Sequence, residues 1–461
     1  MNARVEALPA HGFDIVLDTV IVGAGACGLV AGLAAAEAGQ QVLILEADRA
    51  PAGSTALSAG LIPAAGTALQ RGAGIEDNAE LFASDIQRKA HSENDPMLVE
   101  TLTSGAARVI DWLADDHALP FSVVDDFDYP GHSRRRMHGL PTRSGRELMD
   151  ALRSRCEAAG VDIVCDRRAS VLYRDAKAIR GVGAQSPDRQ ALETLGCRKL
   201  ILACNGFGGN RRLVSEHMPE IEDALWFGHS GNQGEAVEWG RLLGAKTRHL
   251  GAYQGHGNVA HPHGILITWA VITEGGIQVN AAGQRFWNEA QGYSEAARAV
   301  LGQPGGFAVT VFDSRGAAVA RQFEDFKQAE SVGAIRKADT LAELAASFEL
   351  PEAALRDTLA NLPVGAKDAF GRLFDERSLA SPYYGVRVTG ALFHTQGGLS
   401  VNSSAQVCHE DGWVFANLYA GGGAACGVSG SGDSGYLSGN GLLSALVLGY
   451  RAGIAPISAD L

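Results

Sequence analysis

The sequence predicts an α/β fold, in which a Rossmann-like dinucleotide-binding domain carries an inserted α+β capping domain. The chain has 461 residues, about three times a typical ~150-residue domain, which is enough for two or three packed units. Glycine contributes 58 residues without a triplet period, so many turns must approach other groups closely. Residues 18–46 combine a strand, a glycine turn, a helix and a second strand, which is the pattern of a βαβ unit.

The βαβ unit consists of four consecutive segments. Residues 18–22 are a short β-rich run, residues 23–28 a glycine turn, residues 29–38 a helical pattern, and residues 41–46 a second strand. This order places the glycine turn between the end of a strand and the start of a helix.

The later elements indicate where the chain leaves this domain and returns to it. Patterns predict helices at 101–113, 143–159 and 439–453, strands at 161–165 and 198–203, mixed β and turn structure at 253–312, a helical segment at 340–361, and β structure from 384 onward. We therefore assign residues 1–246 and 384–461 to the dinucleotide-binding domain and residues 247–383 to the inserted capping domain.

Charge and cysteine content exclude several classes of partner. The net charge of −13 repels nucleic acid. The seven cysteines show no C-x-x-C spacing, which predicts reduced thiols and a cytoplasmic location. No signal segment is visible at the N-terminus. The apolar stretch 19–45 contains five glycines and is better interpreted as strand, turn, helix and strand than as a membrane span.

The glycine turn has the spacing of a dinucleotide-binding fingerprint. Gly23 allows the tight turn, Gly25 leaves room for a pyrophosphate over the helix N-terminus, and Gly28 lets the helix pack on the sheet. Glu46 ends the next strand, where its carboxylate can accept hydrogen bonds from an adenosine ribose. The fingerprint alone is compatible with FAD or with a nicotinamide nucleotide.

Four separated blocks distinguish these cofactors through a resemblance. Residues 46–60, 202–208, 276–289 and 394–398 resemble, in the same order, the flavoprotein family of fumarate reductase, succinate dehydrogenase and 3-ketosteroid dehydrogenase. The resemblance spans the chain from about residue 18 to residue 453. It implies FAD bound across the N- and C-terminal segments, with the middle region as a cap over the flavin ring. No histidine lies between Gly12 and His91, where some members attach FAD covalently, so we expect non-covalent FAD.

The resemblance also implies a set of cofactor-binding residues. These are Gly23, Gly25, Ala26, Gly28, Glu46, Ala47, Ser54, Thr55, Ser58, Ala59, Gly60, Ala169, Ala203, Gly206, Gly398, Gly422, Ser438, Gly439 and Leu442. Residues 435–443 look like the loop that opens a helix beneath the flavin pyrimidine, where a positive helix end stabilises negative charge. One departure is Gly421-Gly422, where the family often has Gly-Glu, so the ribityl contact of that Glu is missing.

Two tyrosines replace the arginines that the resemblance implies for fumarate reduction. Tyr293 stands four residues beyond Glu289, and Tyr436 stands in the last loop, as in the ketosteroid-dehydrogenase branch. The resemblance then implies Tyr293 as the base for an α proton, and Tyr436 with the backbone N–H of Asn440 as a clamp for a ketone oxygen. Tyr129 is predicted as a proton relay for Tyr293, and flavin N5 as the hydride acceptor.

General chemistry agrees with these roles. Hydride removal from a saturated carbon needs an acidic neighbouring carbon, and a ketone provides one when its oxygen is stabilised as enolate charge develops. A phenol has a reference pKa near 10, and it can act as a base once its surroundings lower that pKa.

Other polar residues are weaker candidates. We predict that His394, in the 394–398 block, contacts the substrate. Arg136, in the Arg134–Arg136 cluster beside His132 and His138, is a second predicted substrate contact, although a run of charges is usually a solvated surface. His256, His261 and His263 are irregularly spaced without acidic partners, so no metal site is predicted.

The sequence therefore predicts an FAD-dependent dehydrogenase that forms an α,β C=C bond next to a ketone on a cyclic or ketosteroid-like substrate. It would pass electrons to an acceptor whose identity the sequence does not give. One alternative is a fumarate-reductase-type ene-reductase of an unsaturated acid, with an arginine from the Arg134–Arg136 cluster as carboxylate clamp. Another alternative is a non-catalytic flavin electron-transfer subunit, although no iron–sulfur or haem spacing supports it.

Overall fold

The computed structural model describes residues 3–125, 129–176, 178–187 and 192–457. These form two compact units. The first unit comprises Met1–Met218, Gly228–Tyr253 and His394–Leu461, and the second comprises Pro219–Phe227 and Gln254–Phe393. The α/β fold class is confirmed, and each unit has its own sheet and core.

The strands, in chain order, have the following bounds: β1 Arg4–Glu6, β2 Ile15–Val22, β3 Val42–Leu45, β4 Ile62–Pro63, β5 Ser122–Val123, β6 Met137–Gly139, β7 Asp162–Val164, β8 Arg168–Arg174, β9 Ile179–Gln185, β10 Glu193–Leu202, β11 Leu225–Trp226, β12 Thr247–Arg248, β13 Tyr253–Ala260, β14 Ile265–Leu266, β15 Ile277–Val279, β16 Phe307–Asp313, β17 Ile335–Ala338, β18 Tyr383–Thr395, β19 Gly398–Leu399, β20 Gln406–Cys408 and β21 Val414–Ala420.

The α-helices have the following bounds: α1 Ala26–Glu37, α2 Gly53–Ala56, α3 Ala68–Gly72, α4 Ala79–Lys89, α5 Pro96–Asp111, α6 Gly145–Ala158, α7 Arg211–His217, α8 Glu235–Leu243, α9 Ala270–Thr273, α10 Tyr293–Leu301, α11 Ser314–Ala320, α12 Glu324–Ser331, α13 Leu341–Ser347, α14 Glu352–Ala360 and α15 Asn440–Ile454. One π-helical turn, Trp112–Asp116, continues α5.

The first unit is built on a sheet with a parallel centre. Its strand order is β1-β8-β9-β10-β2-β3-β7, and β21 also pairs with β10. Ile21 of β2 lies between Ile44 of β3 and Ile201 of β10, and all three side chains are fully buried. The carboxyl ends of the parallel strands therefore lie at one edge, where ligands bind in open α/β sheets.

Helices α1 and α15 pack together unusually closely over this sheet. A Cβ added to Gly449 would lie 2.5 Å from the carbonyl oxygen of Cys27, and one added to Gly453 would lie 2.5 Å from that of Ala31. Glycine at these positions lets the two backbones touch. This contact attaches the C-terminal segment to the N-terminal βαβ unit.

The second unit contains a mainly antiparallel sheet with the strand order β14-β13-β18-β16-β15. Strand β18 also pairs with β11 and β17. These pairings explain why the compact unit ends at residue 393 and includes 219–227, whereas the sequence suggested an insertion at 247–383. The strand that starts at Tyr383 completes the inserted sheet before the chain returns to the first unit.

Two parts of this region differ from the predicted elements. The segment predicted as mixed β and turn contains α10, which starts directly after Gly292 with its φ of 136°. The predicted helical segment 340–361 is two helices, because Glu349 takes a φ of 56° and Pro351 precedes α14. Within the described parts of the chain, no helix is long and apolar enough to cross a membrane.

Candidate active site

The turn after β2 has room only for glycine at positions 23 and 28. A Cβ on Gly23, whose φ is 103°, would lie 2.5 Å from the carbonyl oxygen of Ala203, and one on Gly28 would lie 1.9 Å from that of Gly23. Gly25 is the N-cap of α1 and has no side chain to cap the helix. The turn therefore presents the positive end of α1 to whatever binds there.

Glu46 is held at the end of β3 by two backbone donors. The N–H of Ala24 donates to Oε2 at 2.8 Å, and the N–H of Asp48 donates to Oε1 at 2.9 Å. Each carboxylate oxygen keeps a lone pair for another donor. This geometry fits an acceptor for the two hydroxyl groups of a ribose.

A cavity opens at this edge of the sheet. Eight of the predicted cofactor residues line it, namely Gly23, Gly25, Glu46, Ala47, Ser54, Thr55, Ala169 and Ala203. The structure thus brings together residues from the glycine turn, the loop after β3, β8 and the end of β10. A further predicted residue, Ala26, donates its N–H to Oγ1 of Thr55 at 3.2 Å.

Sequence reasoning missed several residues that line the same cavity. Nδ2 atoms of Asn205 and Asn232 both donate to Oγ of Ser54 at 2.9 Å, which leaves the Ser54 hydroxyl proton to donate elsewhere. His229 pairs with Asp48 at 2.8 Å across the cavity rim. These residues come from the segment 205–232, where no local pattern marks them, although Asn205-Gly206 has the composition of a turn.

The remaining predicted cofactor residues lie on neighbouring turns of the first unit. Oγ of Ser58 accepts the N–H of Gly60, and Gly206 and Gly398 leave no room for a side chain against Thr395 and Ala424. Ala59 is exposed and Leu442 is half-buried. Gly422 takes a φ of 56°. This backbone conformation would be strained for the Glu that the family often has at this position.

Tyr436 lies in the loop that precedes α15 and is buried. Burial raises the pKa of its phenol to about 12, and the N–H groups of Gly439 and Gly441, which donate to its oxygen, oppose this shift. The group is therefore a protonated phenol at neutral pH. An oxygen that already accepts two N–H donors has its own proton left to donate.

The backbone N–H of Asn440 is not placed as predicted. It donates to the carbonyl oxygen of Leu437 at 3.1 Å, in the turn that precedes α15. This N–H therefore has a partner within the loop and is not presented as a second clamp donor. The other two predicted residues of this loop are Ser438, whose carbonyl oxygen faces Nε2 of His132 at 3.0 Å, and Gly439, the N-cap of α15.

His394 lies next to Tyr436, with ring centroids 5.4 Å apart and nearly perpendicular planes. Oγ of Ser429 donates to Oε1 of Gln396 at 2.7 Å, and this fixes the Gln396 amide so that its Nε2 donates to Nδ1 of His394 at 3.0 Å. Burial lowers the pKa of His394 to about 4. The ring is therefore neutral. Its Nδ1 also lies 3.4 Å from the carbonyl oxygen of Thr395, and with Gln396, the nearer partner, as donor to Nδ1 the proton is on Nε2.

Arg136 is not a surface residue. Its side chain is 1% exposed, and its guanidinium pairs with Asp77 at 2.9 Å and with Asp85 at 2.6 Å. These ion pairs favour a structural role, and a substrate contact for Arg136 stays a prediction. Tyr129 packs on the apolar cluster of Leu61, Val124 and Met137.

Tyr293 belongs to the second unit, where it is the first residue of α10. Its ring stacks on His256 at a centroid distance of 5.0 Å. No group of three or more His, Cys, Asp or Glu side chains in the described residues is arranged to hold a metal ion. Tyr129 belongs to the first unit and Tyr293 to the second, and the proton relay between them stays a prediction.

Residues 18–442 match the family model described as FAD binding domain. The chain belongs to this family. Its cofactor is therefore FAD, and the protein is an FAD-dependent oxidoreductase.

The relatives of this flavoprotein include both reductases and dehydrogenases. A probable fumarate reductase of Shewanella frigidimarina is 29% identical over 98% of this chain and 76% of its own length. A 4-oxocyclohexanecarboxylate 2-dehydrogenase of Sinomonas cyclohexanicum is 25% identical over 96% of this chain and 95% of its own length. The solved 3-ketosteroid Δ4-(5α)-dehydrogenase of Rhodococcus jostii shares the fold, with a TM-score of 0.76, 23% identity, and coverage of 98% of this chain and 99% of that chain.

Unsatisfied polar atoms of the flavoprotein fit the cofactor. Among the residues that the structure describes, Oδ1 and Nδ2 of Asn440, Oγ of Ser444 and Nε1 of Trp239 are buried and have no hydrogen-bond partner. Trp239 lines the cavity next to the glycine turn, whereas Asn440 and Ser444 lie in the first two turns of α15. Buried polar groups normally have partners, and the polar edges of a bound FAD would provide them. The polar groups near the glycine turn and at the start of α15 therefore fit a bound FAD.

Proposed function

We propose that this protein is an FAD-dependent dehydrogenase of CH–CH groups, which forms an α,β C=C bond next to the carbonyl of a cyclic ketone. The observation that carries the proposal is the protonated Tyr436 phenol, whose oxygen accepts two backbone N–H groups at the start of α15. A neutral donor of this kind suits a ketone oxygen, which gains negative charge as its α proton leaves.

His394 supplies the second donor of the clamp in this proposal. Its Nε2–H is neutral, adjacent to Tyr436, and oriented by the hydrogen bond from Gln396 to Nδ1. This assignment replaces the N–H of Asn440, which donates to Leu437. Two neutral donors polarise a ketone without the positive charge that a carboxylate substrate favours.

Tyr293 is the proposed base for the α proton. It stands at the N-terminus of the nine-residue helix α10, where the helix dipole lowers the energetic cost of a phenolate. Tyr129 is proposed as its proton relay. Bound FAD supplies the hydride acceptor, and the reduced protein then needs an electron acceptor of unknown identity.

The relative from Sinomonas supports the choice of substrate class. Its name describes dehydrogenation of a six-membered ring that carries both a ketone and a carboxylate, and it matches this chain over nearly the full length of both proteins. We therefore propose a six-membered cyclic ketone as the first substrate to test. The cytoplasmic location remains part of the same proposal, and the seven free cysteines support it.

An ene-reductase of an unsaturated acid is the second candidate. The somewhat higher identity to the probable fumarate reductase favours it. The tyrosines at positions 293 and 436 argue against it, because they replace the arginines expected to donate a proton and hold a carboxylate. Arg136, one of the three arginines considered as a substitute clamp, already pairs with Asp77 and Asp85. An electron-transfer subunit is the third candidate, and no specific feature favours it.

A screen of cyclic ketones with an artificial electron acceptor tests the proposal. The wild-type protein should turn over at least one ketone and should exchange its α hydrogen with solvent deuterium. Tyr293→Phe preserves ring packing and removes only the hydroxyl, so exchange and turnover should be lost together while FAD stays bound. If Tyr293→Phe exchanges and oxidises the ketone at the wild-type rate, Tyr293 is not the base.

A further inference from the structure

The second unit contains a column of four aromatic rings that ends at Tyr293. Phe227 stacks on Phe393 at 4.8 Å, Phe393 on His256 at 5.3 Å, and His256 on Tyr293 at 5.0 Å, with interplanar angles of 16°, 22° and 16°. Trp269 closes one side, because its ring meets His256 edge-on at 5.8 Å. Such a column contributes packing energy and fixes the planes of its rings.

His256 is the member of the column whose orientation is most strongly fixed. The N–H of Asn258 donates to its Nδ1 at 3.2 Å, so the imidazole carries its proton on Nε2. Burial lowers the pKa of His256 to about 3, so the ring is neutral throughout the physiological range. A neutral ring does not compete with Tyr293 for a proton.

A fully buried hydrogen-bond network holds Asn258 in turn. Its Oδ1 accepts from Oγ1 of Thr310 at 2.6 Å, and its Nδ2 donates to the carbonyl oxygen of Ile267 at 3.1 Å. Nε2 of Gln278 also donates to Oγ1 of Thr310 at 3.3 Å. The position of His256 is therefore determined by the β-sheet rather than by α10.

The Tyr293 ring also meets Trp269 edge-on, at a centroid distance of 6.4 Å. Gly292, with a φ of 136°, precedes Tyr293, and the ring projects from the first residue of a helix. The link from α10 to β13 at this point is a hydrogen bond from the N–H of Gly255 to Oγ of Ser294 at 2.9 Å.

We infer that His256 is a positioning residue that holds the Tyr293 phenol in the geometry required to remove the α proton. This inference rests on the proposed function for its catalytic consequence, but not for its structural claim. The stacked face of the imidazole sets the Tyr293 plane, and Phe393 and Phe227 support the imidazole from behind. Displacement of a catalytic group by about 1 Å can cost ~100-fold in rate.

The kinetic test compares three variants of the holoprotein. His256→Ala removes the stacked ring and should lower kcat by ~10- to 100-fold with a change in KM below ~3-fold. His256→Phe restores a flat ring and should recover kcat to within ~3-fold of wild type. His261→Ala is the matched control, because His261 also stacks on a phenylalanine of this unit, Phe307, at 6.3 Å, outside the column. It should leave kcat unchanged.

A second measurement does not depend on any substrate. The protein is labelled with 3-fluorotyrosine, and the ¹⁹F resonance of Tyr293 is assigned by its loss in Tyr293→Phe. We expect this resonance to shift and broaden in His256→Ala and to return in His256→Phe. If the resonance is the same in His256→Ala and wild type, the inference is wrong, whatever happens to turnover.

The two measurements also separate this inference from the proposed function. A wild-type protein that oxidises no ketone contradicts the proposed function, while the ¹⁹F result still decides the positioning role. Equally slow turnover in His256→Phe and His256→Ala would also overturn the inference. The reaction would then require the imidazole itself rather than a flat ring stacked on Tyr293.

Discussion

At the scale of single residues, the site combines fixed donors with neutral titratable groups. Tyr436 and His394 are both buried enough for their pKa values to move away from neutrality, upward for the phenol and downward for the imidazole. Each group is then a neutral hydrogen-bond donor at working pH. This is the combination that stabilises a developing enolate without attracting carboxylates.

Tyr436→Phe tests this donor directly. The variant keeps the buried ring but loses the phenolic O–H, so FAD binding should be retained and turnover of the ketone should fall by ~100- to 1000-fold. Flavin absorbance reports cofactor content, and stopped-flow flavin reduction reports the rate. Wild-type flavin reduction in Tyr436→Phe would remove this phenol from the mechanism.

Glu46→Ala tests the cofactor end of the site. The substitution removes the acceptor for the ribose hydroxyls and also leaves the N–H groups of Ala24 and Asp48 without their carboxylate. FAD affinity should weaken by ~5- to 150-fold, which corresponds to about 1–3 kcal/mol. Titration of the apoprotein with FAD measures this change. Glu37→Ala on the outer end of α1 is the control, and an equal loss of affinity there would contradict the assignment.

Residue roles were partly predictable from the sequence. The glycine turn and Glu46 were predicted from their spacing and Ser54 from the family resemblance, and the structure places all of them at one cavity. Arg136 could not be recognised as buried, because the carboxylates that surround it, Asp77 and Asp85, are more than 50 positions away. Likewise, the hydrogen bond from Asn440 to Leu437 is a property of one loop conformation, and residue type alone does not reveal it.

At the scale of elements, α15 connects the cofactor loop to the sheet. Its N-terminal turn contains the donors to Tyr436, and its C-terminal carbonyls accept from a buried lysine. Nζ of Lys199 donates to the carbonyl oxygens of Ala452, Gly453 and Ala455 at 2.8–2.9 Å. Three acceptors around one ammonium group form a side-chain cap at a helix C-terminus.

Lys199→Met should therefore destabilise the protein. The substitution leaves the buried carbonyls of Ala452 and Gly453 without their lysine donor, whereas the carbonyl of Ala455 keeps a hydrogen bond from Nε2 of Gln40 at 3.2 Å. This loss exceeds the gain from no longer burying an ammonium group. We expect a net loss of about 2–4 kcal/mol in the free energy of unfolding, measured by urea denaturation. Lys327→Met removes an exposed ion pair with Glu324 and should change stability by less than ~1 kcal/mol. A Lys199→Met variant as stable as Lys327→Met would show that the cap is unimportant.

The sequence indicated most elements of the first unit but fewer of the second. Strands β2 and β3 and helix α1 could be recognised as short apolar runs on either side of a glycine turn, and the structure buries most of their residues. Helix α10 was missed because its glycine-rich approach resembles a turn, and the extent of the inserted unit depends on the pairing of β11 with β18 across more than 160 residues. Long-range pairing of this kind leaves no local signal.

At the scale of the whole molecule, buried histidines make stability depend on pH. Burial lowers the pKa of His132, His138 and His394 to about 4 and that of His256 to about 3, from an ordinary value of 6.5. Between about pH 6.5 and 4 the unfolded chain binds protons at these sites, whereas the folded protein does not. The free energy of unfolding should therefore fall as pH falls through this window.

The expected size of this effect is measurable. One histidine with a folded pKa of about 4 costs about 2 kcal/mol at pH 5, so several together should lower Tm by ~5–15 °C between pH 7 and pH 5. His138→Gln should reduce the dependence, whereas His11→Gln, at an exposed position, should not. A Tm that is constant from pH 7 to pH 5 would contradict the buried, neutral state of these rings.

The most direct test of the central claim is anaerobic mixing of the oxidised holoprotein with a six-membered cyclic ketone in a stopped-flow spectrometer. The account predicts that the ketone bleaches the flavin absorbance and that the product is the conjugated enone. It also predicts that fumarate reoxidises the reduced protein slowly or not at all. Flavin that no cyclic ketone bleaches, together with rapid reoxidation of the reduced protein by fumarate or another unsaturated acid, would contradict the account and establish the ene-reductase.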